Sequence, residues 1–243
     1  MAVERTRITS RRTLARVEKA VSVPPWPVVT ELATLYGADA RTRALLKELA
    51  IKAVSAGPGW SERFKAAGPV NFPLLPELEG EATSIDIYEC EVLPGVLQTP
   101  DYATALMSTS PFIEPTQVDQ QVAFRMKRRA TVLPEAGVGP ALRVLLTEGA
   151  LQRQIGGPDV HQRQLTGLKE AADRAEVAIR YLSNTANYSA AVGPFTILRF
   201  DEPLDSDLVY LESLQEANYI ETHEVVSRYA KTFDLSWQQG VEI

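Results

Sequence analysis

Leu142-Arg143-Val144-Leu145-Leu146-Thr147, a helical stretch over 158–175, and Val177-Ala178-Ile179-Arg180-Tyr181-Leu182 follow one another along the chain. The outer two are short runs rich in branched aliphatic residues, the pattern of strands with at least one buried face. Between them Leu165, Leu168, Ala172 and Ala175 recur at helical spacing. Strand, crossover helix and strand predict one βαβ unit with two parallel strands.

The reading extends outward from this unit. Downstream, 195–200 and 208–212 predict two antiparallel strands, and 223–233 predicts a helix with Val225, Tyr229 and Phe233 in one stripe. Upstream, Ile85 and Ile87 alternate with polar residues in a strand, and Pro94-Gly95 marks a turn. Thr99-Pro100-Asp101 is a helix start: a cap, a proline in the first turn, an acid suited to the dipole. A helix over 115–133 spaces Val118, Val122, Met126 and Ala130 by four, and Arg125, Lys127, Arg128 and Arg129 suit its C-terminal dipole. The main domain, 84–243, is expected to be mixed α/β.

The N-terminal region reads as all-α. Residues 10–19 predict a short helix with Ser10 as cap and Leu14 and Val17 inward; Pro24-Pro25-Trp26-Pro27 breaks it. A second helix spans 28–36, closed by Gly37, and a third spans 40–55 with Leu45, Leu46, Leu49 and Ala53 on one face. Gly57-Pro58-Gly59 ends the module, and 58–83 reads as a packed connector. The expected fold class is therefore α+β: a small helical module, 1–57, before a mixed α/β domain.

Composition narrows the function. The chain has 243 residues, 45% hydrophobic and 23% charged, enough for a core without staples. Cys90 is the single cysteine, so neither a disulfide nor a four-cysteine zinc site can form, and a cytoplasmic location fits. No apolar run approaches the length of a membrane span. Residues 1–19 carry six basic and two acidic groups, net +4; against a total of -6, the other 224 residues carry -10. A basic arm on an acidic body is the asymmetry of a chain whose end meets a polyanion.

Most catalytic signatures are missing. No dinucleotide or phosphate-loop glycine motif and no Gly-x-Ser-x-Gly elbow occurs. His223-Glu224-Val225-Val226-Ser227 begins like a zinc-protease helix, but Ser227 stands where the second imidazole belongs. Cys90 reads as a structural thiol. No catalytic residue, metal or cofactor is assigned. Glu148 and Glu212 close two strands, where charges can line a cleft. With nearby tyrosines they define a candidate ligand pocket of Tyr88, Gln98, Tyr102, Glu148, Tyr210 and Glu212.

The stretch Tyr88-Glu89-Cys90-Glu91-Val92-Leu93-Pro94-Gly95-Val96-Leu97-Gln98-Thr99-Pro100-Asp101-Tyr102-Ala103 resembles the signature of a large actinobacterial group of Xre-type helix-turn-helix regulators. Leu146-Thr147-Glu148-Gly149-Ala150-Leu151, Gly193-Pro194-Phe195-Thr196-Ile197-Leu198 and Val226-Ser227-Arg228-Tyr229 fit as well. The resemblance implies an antitoxin-like transcriptional regulator whose C-terminal domain senses a ligand or a small partner protein encoded nearby. It also implies DNA as partner and a possible homodimer, with no membrane. Residues 8–18 resemble the turn and recognition helix, and Ser10, Arg11, Arg12 and Arg16 would face DNA. The family has two further helices before that point, so the module is expected to be partial. Two alternatives stand beside this reading: a ligand- or partner-binding protein without DNA affinity, and an enzyme repurposed on the same scaffold.

Overall fold

The βαβ unit forms as expected, inside a larger sheet, in a computed structural model that describes residues 26–56, 74–135, 139–186, 193–201, 206–214 and 216–243. The chain divides into two units, 1–63 and 64–243.

In the first unit, helix α1 (Trp26–Leu35) and helix α2 (Ala40–Ala56) pack together. Gly37 has φ +81°, and the amide of Ala38 reaches back to the Ala33 carbonyl at 2.8 Å. This is the left-handed stop that glycine supplies. Asp39 then caps α2, its carboxylate accepting from the Thr42 amide at 2.7 Å. That bond lowers the Asp39 carboxyl below its ordinary value. The inward face of α2 differs from expectation: Leu49 is exposed and Ala50 buried. The side chain of Ala53 lies outside the described residues, as do all of 1–25.

The second unit begins its described part with α3 (Leu74–Glu81), in the stretch expected to be a connector. Strand β1 (Ser84–Glu89) leads through a 3-10 turn (Gly95–Leu97) to α4 (Pro100–Ser108) and α5 (Val118–Val132). Next come β2 (Ala141–Thr147), α6 (Glu148–Gln152), α7 (Pro158–Ala172) and β3 (Val177–Leu182). The chain then runs through β4 (Phe195–Arg199), β5 (Leu208–Glu212) and β6 (Ala217–Ile220) to α8 (His223–Trp237) and β7 (Val241–Glu242). Strand order is β6-β5-β4-β1-β2-β3-β7. The adjacent strands β1, β2 and β3 are parallel, and the other pairs are antiparallel. The fold is a mixed α+β architecture.

Side chains alternate between the sheet's faces, so each face has its own core. On one face Tyr88, Leu145, Phe195, Ile197 and Val209 pack under Val226 and Phe233 of α8. Helices α3, α4, α5 and α7 gather on the other, where Ile85, Ile87, Val144 and Leu146 are buried. With both faces covered, the inner polar position of β1 does not face water. Asp86 is only 1% exposed. Its carboxylate accepts two bonds from Arg143 at 2.7 Å, from the neighbouring β2, and one from Arg199 of β4 at 2.5 Å. Arg143 also lies over the Phe233 ring at 4.9 Å and meets Asp234 at 3.1 Å, which ties α8 to the same charge.

Gly139 enters β2 past the end of α5, and a Cβ there would collide with the Val132 carbonyl oxygen. Glycine is required by that close approach.

Removing one partner of a buried ion pair strands the other. Asp86→Ala should lower the unfolding free energy by about 3–5 kcal/mol, measured by urea denaturation. Ile85→Val on the same strand should cost about 1 kcal/mol. Equal losses from the two would remove the special role of Asp86.

Candidate functional site

The stretch from Leu93 to Tyr102 is held by its own polar side chains. Gln98, 1% exposed, donates to the Leu93 carbonyl at 2.7 Å, and the Tyr102 hydroxyl accepts from the Leu93 amide at 3.3 Å. Thr99 caps α4, accepting from the Tyr102 amide at 3.4 Å. Gln164 of α7 grips the chain on both sides of Gln98, accepting from the Thr99 amide at 2.7 Å and donating to the Leu97 carbonyl at 2.9 Å. The turn rests on α5, with the guanidiniums of Arg125 and Arg128 beside Gly95.

These arginines sit one turn apart on α5 and point inward, three residues being nearly a full helical turn. Arg128 forms a two-pronged pair with Glu79 of α3, at 2.6 and 2.7 Å. The exposures of the two side chains are 12% and 1%. Burial opposes the charge on Arg128, but Glu79 outweighs it and the net shift is upward. Arg125 donates to the neutral Gln98 carbonyl oxygen at 2.6 Å. Burial, with Arg128 alongside, draws Arg125 down to about 10.

Facing the arginines are side chains from β1, β5 and β6. Glu89 follows Ile85 and Ile87 on the same face of β1. Tyr210 and Glu212 share a face of β5, and the tyrosine hydroxyl donates to the Glu212 carboxylate at 2.6 Å. The Tyr219 ring lies 5.2 Å from that of Tyr210 across the β5–β6 pair. Burial drives both phenols well above their ordinary range, with Glu212 adding to the shift of Tyr210. Burial and then the like charge of Glu212 push Glu89 up to about 7, against the pull of Arg128 and Arg125.

Burial is the main cause of that shift, and the charge count adds to it. Glu79, Glu89 and Glu212 face Arg125 and Arg128, three acids against two bases. One carboxyl is in excess, and a proton on Glu89 balances the cluster. A group poised near neutrality by burial and a like charge, where the strand order switches sides of β1, makes this cluster the candidate functional site.

Four of the six expected pocket residues, Gln98, Tyr102, Tyr210 and Glu212, belong to this cluster or its supporting turn. The other two do not. Tyr88 lies on the opposite face, in the core beneath α8, with its ring 5.6 Å from Phe195. Glu148 does not end β2 but opens α6, where its carboxylate accepts from the Asn184 amide at 2.8 Å and from Gln152 at 2.7 Å. Glu148 and Glu212 stand three strand spacings apart in the sheet, roughly 14 Å, and form no common site. Glu79, Glu89, Arg125 and Arg128 were absent from the sequence-based set. The signal available for them was the three-residue spacing of the arginines and the parity of Glu89 with two core isoleucines.

Other expected positions resolve as follows. Burial, then Glu89 and Glu91, raise the Cys90 thiol, the opposite of nucleophile activation. His223 is exposed in the first turn of α8. Among the described residues no group of three or more metal-binding side chains is found, and no helix is long and apolar enough to cross a membrane. Ser10, Arg11, Arg12 and Arg16 lie outside the described residues.

Fold and cluster together define a mixed α/β domain carrying a cluster of acids, arginines and tyrosines on one face of its sheet. Residues 72–242 match the family described as Domain of unknown function (DUF5753), and the chain belongs to that family. Residues 1–71 lie outside the match, and no helix-turn-helix family is matched. No curated protein and no solved structure matches the chain.

The raised carboxyl has a thermodynamic consequence. Folded Glu89 keeps a proton that the unfolded chain releases near 4.5, so its contribution to stability is full below about 4.5 and is lost as pH rises to about 7. Glu89→Gln mimics the protonated form. Denaturant titrations across that window should show a flatter decline for the variant, and greater stability than wild type above neutrality. Parallel profiles would contradict the assignment.

Proposed function

We propose that the chain is a DNA-binding transcriptional regulator of the antitoxin-like kind, with an N-terminal DNA reader and a C-terminal domain that receives a signal. The observation that carries this reading is the charge segregation: +4 within residues 1–19 on a chain of net -6. The match to the family domain begins only at residue 72, and helices α1 and α2 precede it in a separate unit. In this reading Arg11, Arg12 and Arg16 meet phosphates, and Ser10 and Arg11 approach base edges from a helix N-terminus. The C-terminal domain acts as a cytoplasmic receiver for a small molecule or a small partner protein, and the reader works as a dimer.

A second reading is favoured by the polar cluster itself. The Glu89–Arg125–Arg128–Tyr210 network lies wholly within the C-terminal unit, so the domain could bind a ligand or partner with no DNA affinity in the chain.

Fluorescence anisotropy with duplex DNA from upstream of the chain's own gene separates the two. The first reading expects binding that weakens steeply with salt, with Arg11→Ala/Arg12→Ala reducing the log–log slope by about one unit per lost phosphate contact. No binding supports the second reading, and salt-independent binding counts against the first.

A further inference from the structure

Helix α7, strand β3 and the short α6 enclose an open groove of about 680 Å³, and none of its lining residues belongs to the Glu89 cluster. It lies beside the carboxyl ends of β2 and β3, the end of parallel strands at which α/β domains take their ligands. Its volume suits a small molecule. The face of α7 that enters it is a stripe at four-residue spacing: His161, Leu165 and Lys169. At 1.5 Å of rise per residue the first and last of these stand roughly 12 Å apart.

His161 is the unusual member. The residue is only 8% exposed, yet neither ring nitrogen has a hydrogen-bond partner among the described residues. Nδ1 is wholly enclosed, and Nε2 is the nitrogen that keeps access to the groove. Buried polar atoms without partners are rare. An enclosed N–H with no acceptor is disfavoured more than a bare lone pair, which places the ring proton on Nε2. His161 therefore presents a donor to the groove, and the acceptor for it has to come from outside the fold.

The rest of the lining narrows the occupant. Lys169 taken alone is an ordinary last-turn lysine, but it has no ion pair or hydrogen bond among the described residues. Glu148, the one acidic side chain among the described residues of the lining, is already engaged at both oxygens. Oε1 accepts from Gln152 at 2.7 Å and Oε2 from the Asn184 amide at 2.8 Å. The open polar groups at the two ends of the α7 stripe are thus donors, one of them charged. Between them Leu151, Leu165 and Tyr181, all half-buried, supply an apolar bed.

We propose that the α6–α7–β3 groove binds an organic acid about 10 Å long, with its carboxylate at Lys169, its apolar body on Leu151, Leu165 and Tyr181, and an acceptor oxygen at the far end bonded by His161 Nε2–H. The proposal rests on this groove alone and stands whether or not the chain binds DNA.

4-Acetylcinnamate has that length and both ends, and two relatives each lack one. Cinnamate has no distal carbonyl, and the methyl ester of 4-acetylcinnamate has no charge. Calorimetry on the full-length chain should show saturable one-to-one binding of 4-acetylcinnamate, with both relatives weaker by about threefold or more. Lys169→Met should weaken 4-acetylcinnamate to the level of its ester and leave the ester unchanged. His161→Phe should bring 4-acetylcinnamate to the level of cinnamate and leave cinnamate unchanged. Lys231→Met, an exposed charge removal on α8, should alter none of the three. The chain has only two histidines, so the ring ¹⁵N signals of His161 and His223 can be told apart. His161 should carry its proton on Nε2, and that signal should move on titration while those of His223 stay, a readout that decides the question if His161→Phe fails to fold. A proton on Nδ1 of His161, equal affinity for the acid and its ester, binding unchanged in Lys169→Met, or no binding at all would overturn the proposal.

Discussion

Asp86 is the charge around which the C-terminal unit is assembled. It sits on β1, the middle strand, with the sheet on both sides and α8 above, and it is almost wholly withdrawn from water. A lone carboxylate in that position would be prohibitive. Arg143 and Arg199 reach it from the two adjacent strands, and Arg143 continues to Asp234 and the rings of Phe233 and Trp237 on α8. Two acids and two bases leave no net charge. The network specifies which strands neighbour β1 and where α8 lies, because another strand order or helix position would strand one of its members.

The opposite face uses the same chemistry with a different balance. There α5 presents Arg125 and Arg128 to three carboxylates, and the excess acid is Glu89. A compensated network serves mainly to hold the structure. An uncompensated one keeps a titratable group near neutrality and can respond to a proton, a ligand or a displaced neighbour. The Leu93–Tyr102 stretch is the turn that lies against these arginines. Its Gln98 bonds Arg125 directly.

The elements with clean apolar periodicity were legible. The βαβ unit, the antiparallel β4–β5 pair and the Thr99-capped α4 all stand close to where sequence spacing puts them. What was not legible follows from buried charge. On α5 the spacing of Val118, Val122, Met126 and Ala130 suggests the inward stripe, yet Ala130 is exposed, while Gln121, Phe124 and Val132 are buried and Arg125 and Arg128 point in. An arginine reads as solvent-facing until its partner is known, and Glu79 lies in a stretch whose prolines and glycines masked the helix α3. Asp86 was hidden likewise, because alternating isoleucine and polar residues looks the same whether the polar face meets water or an arginine. Strands β6 and β7, at the two sheet edges, are four and two residues long, too short for any periodicity to show. Tyr88 and Glu148 were misplaced for a simpler reason: a side chain's face depends on strand parity, and strand ends shift by a residue or two.

The buried Asp86 network, more than the hydrophobic face alone, makes β4, β1, β2 and α8 one cooperative unit. Native-state hydrogen exchange at low denaturant reads this directly. Amides of β1, β2, β4 and the Phe233 turn of α8 should exchange together, only through global unfolding, while β6 and β7 exchange earlier. Separate exchange of α8, at a free energy well below that of β1, would contradict it.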